Sequence, residues 1–228
     1  MESIAEACRE VLLTADPGAK VKAARAAARA WRCGGLAHDF TGAMPDRPAR
    51  PRFPELLSPS RMPKRGKAGS ERSRTAMLHA LAHIEFGAID LAFDLVGRFG
   101  GRFPPAFIDD WVGVGADEAM HFALLDRRLR ALGSSYGALP AHDGLWEAAE
   151  ATAHDPLARL AVVPMVLEAR GLDVTPATVA AFEKAGDSRS SAILRRIYDD
   201  EIRHVAAGTL WFKRGCASQG LEPVSHWQ

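Results

Sequence analysis

Two copies of the motif Glu-x-x-His constrain this chain more than any other feature of its sequence. Glu118 and His121 form the first copy, and Glu201 and His204 form the second. Residues three apart lie on the same face of a helix, so the Glu and the His of each copy can reach the same metal ion. The alternative is a pair of solvated helix faces, which is the usual environment of charged side chains.

A lone glutamate precedes each copy by the same interval. Glu85 lies 33 residues before the first motif and Glu168 lies 33 residues before the second (118 − 85 and 201 − 168). The midpoint of the first interval falls beside the glycine pair at 100–101, and the midpoint of the second falls beside Gly186. Because glycine often separates helices, the intervals predict two helical hairpins, each with its two ligand positions at the same depth.

Four helices with these residues place four carboxylates and two imidazoles in a bundle core, which is the ligand set of ferritin-like di-iron and di-manganese proteins. We therefore expect an all-α chain with a ferritin-like four-helix bundle and two metal ions. Iron fits this donor set best, and manganese or zinc are alternatives. By analogy with that template, Glu118 and Glu201 would bridge the two ions. The predicted metal ligands are Glu85, Glu118, His121, Glu168, Glu201 and His204.

Three more residues are candidates for roles beside the metal ions. Asp117 and Asp200 each precede a ligand histidine by four residues. A metal-bound histidine normally donates its other ring N–H to a carboxylate or carbonyl, so we predict that each aspartate orients a histidine, its own or the one on the facing helix. The alternative is an exposed position on the helix shoulder. Tyr198, three residues before Glu201, is a candidate catalytic residue or a packed core aromatic.

His79 and His83, four residues apart, form a second pair that could bind metal. However, His83 and Glu85 are two residues apart, about 200° around a helix, so the pair faces away from the predicted site. Asp90 and Asp94 fall on the same side as His83. We therefore expect a polar network against the N-terminal helices rather than a second metal site.

Composition and charge exclude other classes of protein. The 228 residues suit one domain with an extension, and the net charge of +1 gives the whole molecule no nucleic-acid footprint. The three cysteines form no C-x-x-C pair, so we expect no disulfide framework and a reducing cytoplasm. The first residues lack a basic region followed by an apolar core, so no signal peptide is expected. The longest purely apolar stretch, residues 160–167, is too short to span a membrane.

Four segments follow from helix start and stop signals. They are a helical extension at 1–40, a Pro/Arg-rich strap at 41–69, the bundle at 70–214 and a tail at 215–228. Within the bundle, helices are predicted at 71–99, 104–132 and 188–214, with a short helix near 143–153.

The third long helix, which begins at Pro156 and carries Glu168, is expected to be irregular. Pro164 should kink or bulge it, and Gly171 and the Thr175-Pro176 pair should interrupt it.

The strap holds six of the 14 prolines. This composition favours an extended segment that lies across the bundle, with Phe53, Leu56 and Leu57 packed against it. The alternative is an arm that contacts phosphate or RNA. Its basic residues are Arg47, Arg50, Arg52, Arg61, Lys64, Arg65 and Lys67.

Several runs resemble a known group of proteins. They are His79-Ala-Leu-Ala-His-Ile-Glu85-Phe-Gly-Ala-Ile-Asp90-Leu-Ala, Asp110-Trp111 and Asp117-Glu118-Ala-Met-His121-Phe. Over nearly its whole length, including Met62-Pro63-Lys64-Arg65, the chain resembles an uncharacterised bacterial family of the ferritin-like superfamily. A related branch contains the MiaE-type tRNA hydroxylases, which use a di-iron site to hydroxylate a modified adenosine. The resemblance implies the same ligand pattern, but it does not carry over the substrate.

The leading hypothesis is a di-iron carboxylate oxidase or hydroxylase. It would use dioxygen or peroxide and an external electron donor, because no flavin or iron–sulfur motif is present. The substrate would be an unknown small molecule or a modified nucleoside. One alternative is a ferritin-like protein that handles metal or peroxide, and the other is a non-catalytic module with a structural metal. Homodimerisation is left open, since no sequence feature bears on it.

Overall fold

The computed structural model describes residues 1–63 and 68–227, and within these ranges the chain is helical with no β-strand. The all-α prediction is therefore confirmed for the described residues. The described residues form nine α-helices, in chain order α1 Ile4–Leu13, α2 Pro17–Arg32, α3 Glu71–Phe99, α4 Pro105–Ala131, α5 Gly144–Ala151, α6 Pro156–Val162, α7 Ala169–Lys184, α8 Ser188–Ser218 and α9 Pro223–Trp227.

Local side-chain chemistry sets the starts of these helices. Ser3 and Glu6 form a reciprocal capping box at α1, and Ser70 accepts the Ser73 N–H at the start of α3. Asp16 accepts the Ala19 N–H at 2.7 Å, with proline at the first position of α2. Each cap satisfies a backbone donor that would otherwise have no partner within the helix.

Two helical hairpins position the candidate site. Helices α3 and α4 pack along their length, α7 packs on α8, and the α4–α8 contact joins the two pairs. The N-terminal helices cover this assembly, with α1 on α3 and α2 on α4. Two glycines permit close approach: an added Cβ at Gly115 would lie 2.6 Å from the Phe93 ring, and one at Gly208 would lie 2.5 Å from the Pro164 side chain.

The third long helix differs from the expectation in one respect and agrees in another. Residues Val163–Glu168 form a turn of π-helix between α6 and α7, here called the π turn, which confirms the bulge predicted from Pro164. The predicted interruptions at Gly171 and Thr175-Pro176 are wrong, because α7 runs through all three residues. Pro176 lies on the exposed side of α7, where water can hydrogen-bond the carbonyl that proline leaves without a donor.

The described part of the strap, residues 41–63, lies against α3 and the connection after α4. The Leu57 N–H donates to the Ala141 carbonyl at 2.8 Å, and the Ala141 N–H donates to the Glu55 carbonyl at 2.9 Å. Packing of Phe53 and Leu56 was predicted wrongly, since these side chains are 57% and 39% exposed. Ion pairs, backbone pairing and the buried side chain of Met44 hold the segment instead. The predicted basic residues Lys64, Arg65 and Lys67 lie outside the described residues.

Buried ion pairs fix the outer side of α3. Asp90 is fully buried and pairs with Lys20 of α2 and with Arg50 of the strap. Asp94 pairs with Arg159 of α6 and with Arg98. The predicted polar network against the N-terminal helices is therefore confirmed for Asp90.

Helix α3 and the residues that follow it, Glu71–Arg102, are long and apolar enough to cross a membrane by length and composition. Of the most apolar window, 72% is buried inside the protein.

Candidate metal centre

The predicted ligands come together between the two hairpins. Helix α3 supplies Glu85, α4 supplies Glu118 and His121, and α8 supplies Glu201 and His204. Ligand atoms of Glu85, Glu118, His121 and Glu201 all lie within 4.8 Å of one another, and this group could hold a metal ion.

His121 lies at the centre of the first half of the site. Its Nδ1 is 3.2 Å from Glu85 Oε2 and 3.3 Å from Glu118 Oε2. Its Nε2 points the other way and lies 3.1 Å from Asp200 Oδ2 on α8. The Nδ1 atom therefore faces the glutamates, and the Nε2 atom faces a second carboxylate.

His204 occupies the matching position in the second half. Its Nδ1 is 3.1 Å from Glu118 Oε1 and 3.4 Å from Glu201 Oε1, and its Nε2 is 3.4 Å from Asp117 Oδ2 on α4. Glu118 therefore directs one oxygen at each histidine.

The two aspartates cross between helices. Asp117 of α4 contacts the histidine of α8, and Asp200 of α8 contacts the histidine of α4. Such outer carboxylates fix the tautomer and the ring orientation of a ligand histidine. That role stays a prediction for both residues.

Glu168 ends the π turn and lies beside the cluster. Its Oε2 is buried without a hydrogen-bond partner among the described residues. Burial, followed by the nearby charges of Glu201 and Glu118, raises the pKa of Glu168 well above its usual range. Its carboxylate is thus close enough to interact with the other ligands, although it is not one of the four residues whose atoms converge.

The carboxylates share a buried space that disfavours their negative charge. Burial, followed by repulsion from Glu118, raises the pKa of Glu85 well above its usual range. Burial also acts on Glu118, but the close contacts with His121 and His204 outweigh it and lower the pKa of this carboxyl.

The histidines shift in the opposite sense from ordinary buried histidines. Burial would lower the pKa of His121, but the hydrogen bonds with Glu118 and Glu85 raise it to about 11. The pKa of His204 is also raised, because contacts with Asp117, Glu118 and Glu201 outweigh burial. In the metal-free protein, bound protons thus offset part of the negative charge of the carboxylates.

Unpaired polar atoms test whether the donor set fits a metal. Among the described residues, Glu118 Oε1, Glu201 Oε2 and His204 Nδ1 are buried without a hydrogen bond of suitable geometry, as is the Glu168 oxygen described above, although Glu118 Oε1 and His204 Nδ1 lie only 3.1 Å apart. Buried polar atoms are nearly always paired. Four orphaned donors of the type that iron, manganese and zinc accept, in one cluster, fit a metal site.

Two exposed arginines, which the sequence analysis missed, contact the aspartates. Arg196 Nε lies 2.6 Å from Asp200 Oδ2. Arg203 pairs with the other oxygen of Asp200, and its Nη2 lies 3.6 Å from Asp117 Oδ2. Their positions, four residues before and three after Asp200, are the helical spacing for an ion pair and could have signalled these contacts.

Other candidate residues lie outside the cluster. Tyr198 is half-buried, and no hydrogen bond joins it to a predicted ligand in the described structure; its catalytic role stays a prediction. His83 contacts the Tyr136 hydroxyl at 2.8 Å and the His142 carbonyl at 3.2 Å. His79 Nε2 accepts the Gly137 N–H at 3.0 Å. Burial lowers the pKa of His79 and of His83 to about 4, so both are neutral residues that hold the connection after α4.

Three cavities in the described structure lie away from the cluster. One lies between α3, the strap and the connection after α4, near Ile84 and Leu145. The second lies under the strap near Arg52 and Tyr136, and the third lies at the α7–α8 turn. None of the six predicted ligands lines any of these three.

Comparison with known proteins identifies the family of the chain. The sequence profile described as "Protein of unknown function (DUF455)" matches residues 13–228. The chain belongs to this family. A protein of Haemophilus influenzae described as "Uncharacterized protein" is 44% identical over 182 residues. The alignment covers 77% of this chain and 63% of that relative, so the chain spans less than two thirds of the relative's length. No solved structure matches the chain.

Proposed function

We propose that the protein is a ferritin-like di-metal carboxylate oxidoreductase, with iron as the native metal. Helices α3, α4, α7 and α8, together with the π turn, would form its four-helix bundle. The observation that carries the proposal is the buried convergence of Glu85, Glu118, His121 and Glu201, with Glu168 and His204 beside them and four buried donor atoms without a hydrogen bond among the described residues.

The charge of the cluster supports two divalent cations. Unpaired carboxylate oxygens are costly to bury, and three of the four glutamates have one among the described residues. Two divalent ions balance four negative charges and displace the protons from the histidines, whose neutral form is the one that binds metal. In the metal-free protein, the unbalanced negative charge contributes to the raised pKa values of Glu85 and Glu168.

The geometry supports an assignment of each ligand. Glu118 contacts both histidines, so it would bridge. Glu85 lies beside His121 and would be terminal on the first ion. Glu201 contacts His204 and belongs to the convergent group, which makes it the second bridge. Glu168, at the end of the π turn, would be terminal on the second ion.

When bound, a pair of iron ions would supply two-centre redox chemistry toward dioxygen or peroxide. The chain would orient the histidines through Asp117 and Asp200 and exclude bulk water with the α3–α4 core. Glu201 is the more accessible bridge, with 13% of its side chain exposed against 1% for Glu118. We therefore place substrate approach on the α7–α8 side, with an external electron donor and a small organic molecule or modified nucleoside as the substrate.

A specific observation favours a second candidate function, the handling of metal or peroxide without an organic substrate. The three cavities described above are lined by other residues, and His121, His204 and Glu118 are almost fully buried. Such a site suits a diatomic ligand or the metal itself. Peroxide consumption by the iron-loaded protein without added organic substrate would support this candidate.

Metal content is the first test of the proposal. Protein from iron-supplemented cells would be examined by elemental analysis and by Mössbauer and EPR spectroscopy, beside Glu118→Ala and the exposed control Glu183→Ala. We expect about two coupled iron ions per chain, retained in the control and lost in Glu118→Ala. No metal, or a single zinc ion that Glu118→Ala does not affect, contradicts the redox function and leaves a structural or vestigial site.

A further inference from the structure

We propose that Arg203 is a positioning residue shared by both halves of the metal site, and that it sets the reduction potential of the bound metal through Asp117 and Asp200. The inference rests on the proposed function, because it concerns metal ions bound at the cluster.

Arg203 is connected to each ligand histidine through one aspartate. Its guanidinium pairs with Asp200, which contacts His121 Nε2 at 3.1 Å. The same Nη2 atom lies 3.6 Å from Asp117, which contacts His204 Nε2 at 3.4 Å. One solvent-exposed cation thus touches the carboxylate behind each ligand histidine.

Arg196 provides an internal comparison, since it contacts only one of these carboxylates. Its Nε lies 2.6 Å from Asp200 Oδ2, and no ion pair joins it to Asp117 in the described structure. Among the described residues, Asp200 therefore has two arginine partners and Asp117 has one. Loss of Arg203 leaves Asp200 with Arg196, but it leaves Asp117 without an arginine partner in that part of the chain.

The charges of this network balance only when both arginines are counted. The four glutamates and two aspartates carry six negative charges, and Arg196 and Arg203 return two positive ones. Two divalent ions with neutral histidines then bring the sum to zero. Without Arg203 the site carries one surplus negative charge, which favours the more positive, oxidised state of the metal.

Two consequences of losing Arg203 act in the same direction. The positive charge disappears, and the aspartates regain electron density that they pass to the histidines, which raises ligand basicity. Both stabilise the oxidised metal. A unit charge removed at roughly 10 Å from a second charge near a protein surface changes an equilibrium on the order of tenfold. Because Arg203 is 65% exposed, solvent screens part of this effect.

The test compares the reduction potential of ferrous-iron-loaded protein in four variants. Arg203→Gln removes the shared contact, Arg196→Gln removes the contact with Asp200 alone, and Arg203→Lys keeps the charge. Arg195→Gln is the matched control, because Arg195 is an equally exposed residue of α8 that pairs with Glu183 instead. Potentiometric titration followed by EPR gives the potentials, and Mössbauer spectra report each iron separately.

We expect Arg203→Gln to raise the oxidised-to-reduced ratio at a fixed ambient potential by about three- to tenfold, where tenfold corresponds to 59 mV for one electron. The Mössbauer signals of both iron ions should change. Arg196→Gln should change the signal of one ion, and Arg195→Gln should change neither. Arg203→Lys should keep a reduction potential close to that of the wild type, because the charge remains. It should alter the Mössbauer signal of one iron ion, because an ammonium group lacks the planar fork of guanidinium.

Two other outcomes would contradict the inference, and they differ in whether the proposed function also fails. If the wild-type protein binds no iron, both the proposed function and this inference fail. If it binds iron and Arg203→Gln matches Arg195→Gln in potential and spectrum, Arg203 is a surface ion pair without influence and only this inference fails. Thermal unfolding of the metal-free variants controls for folding, and we expect all four to unfold close to the wild type.

Discussion

The two halves of the metal cluster have the same spacing in sequence, but they differ in structure. In the α3–α4 half, Glu85, Glu118 and His121 are joined by hydrogen bonds and almost fully buried. In the other half, Glu168 and Glu201 each have a buried oxygen without a hydrogen bond among the described residues, as does Glu118 of the first half, but Glu168 alone of these three lies outside the group of convergent ligand atoms. The difference shows that ligand spacing specifies which residues meet, whereas helix regularity decides how completely they are fixed.

The cause of the asymmetry lies in the helix before Glu168. Helix α3 reaches Glu85 through regular turns. Glu168, in contrast, is the last residue of the π turn, which forms where Pro164 has no N–H to donate. The contact between Pro164 and Gly208 of α8 then holds the distorted turn in place. A π-helical distortion at a functional site is a recurring feature of proteins.

The largest expected effect compares the central glutamate with the most irregular one. Glu118→Ala should abolish binding of both metal ions, since its oxygens face His121 at 3.3 Å and His204 at 3.1 Å. Glu168→Ala should leave about one ion per chain, because Glu168 would be a ligand of the second ion and not of the first. Elemental analysis after loading with ferrous iron measures both, with Glu183→Ala as the control. Equal stoichiometry in the two variants contradicts the asymmetry.

Two glycines test the packing of each half. Gly115→Ala places a Cβ against the Phe93 ring, and Gly208→Ala places one against Pro164. Each should destabilise the protein by about 1–3 kcal/mol through overpacking, which exceeds the gain of up to about 1 kcal/mol in helix propensity. Only Gly208→Ala should also lower the affinity for the second metal ion, because it displaces the π turn. Urea unfolding and metal stoichiometry separate the two effects, and a stabilised Gly208→Ala would rule out the close contact.

Two buried histidines, His83 of α3 and His121 of α4, should respond to pH in opposite directions. His83 has a pKa of about 4 in the folded protein, below the usual value of about 6.5 in the unfolded chain. Its contribution is therefore present above pH 6.5 and is lost as pH falls toward 4. His121, with a pKa of about 11, stabilises the metal-free protein below pH 6.5, and this contribution is lost as pH rises through 11.

Urea unfolding of metal-free protein between pH 7 and pH 4.5 measures the first effect. We expect a loss attributable to His83 of about 1–3 kcal/mol, from roughly 1.4 kcal/mol for each unit of pKa shift. His83→Gln should show a correspondingly flatter pH dependence than the wild type. Parallel curves for the two proteins would contradict burial of a neutral His83.

The smallest expected effect on stability concerns Pro164. Pro164→Ala restores a backbone donor, but it also removes the ring Cγ that packs against Gly208 while keeping the Cβ. These changes oppose each other, so the free energy of unfolding should change by less than about 1 kcal/mol, well below the cost of an ordinary helix-interior proline. The second ion should nevertheless bind more weakly, because a regular helix would rotate Glu168 away. Unchanged metal affinity would show that the π turn has no part in placing this ligand.

The helices could be predicted from sequence because local chemistry specifies them. Ser70 and Asp16 cap helices, and the glycine pair at 100–101 ends α3, so these boundaries follow from short-range rules. The continuity of α7 through Pro176 could not be predicted, because it depends on which side of the helix faces water. The exposure of Phe53 was missed for a similar reason, since it depends on which apolar residue of the strap, here Met44, reaches the core.

Some parts of the candidate site could be predicted from the sequence and others could not. The convergence of Glu85, Glu118, His121 and Glu201 follows from the motif spacing and the hairpin geometry. The offset position of Glu168 depends on the register of the π turn, which periodicity does not specify. The link from Arg203 to Asp117 depends on the relative rotation of α4 and α8, and this rotation is set by packing over the whole interface.

The crossed contacts of Asp117 and Asp200 have a consequence for the order of folding. Each hairpin contains a Glu-x-x-His motif, but the carboxylate that holds its histidine belongs to the other hairpin. A folding intermediate with only one hairpin formed would lack the outer partner of its histidine and half of the glutamates. High-affinity metal binding would then begin only after the hairpins dock, so the rate of metal uptake during refolding would report that final assembly step.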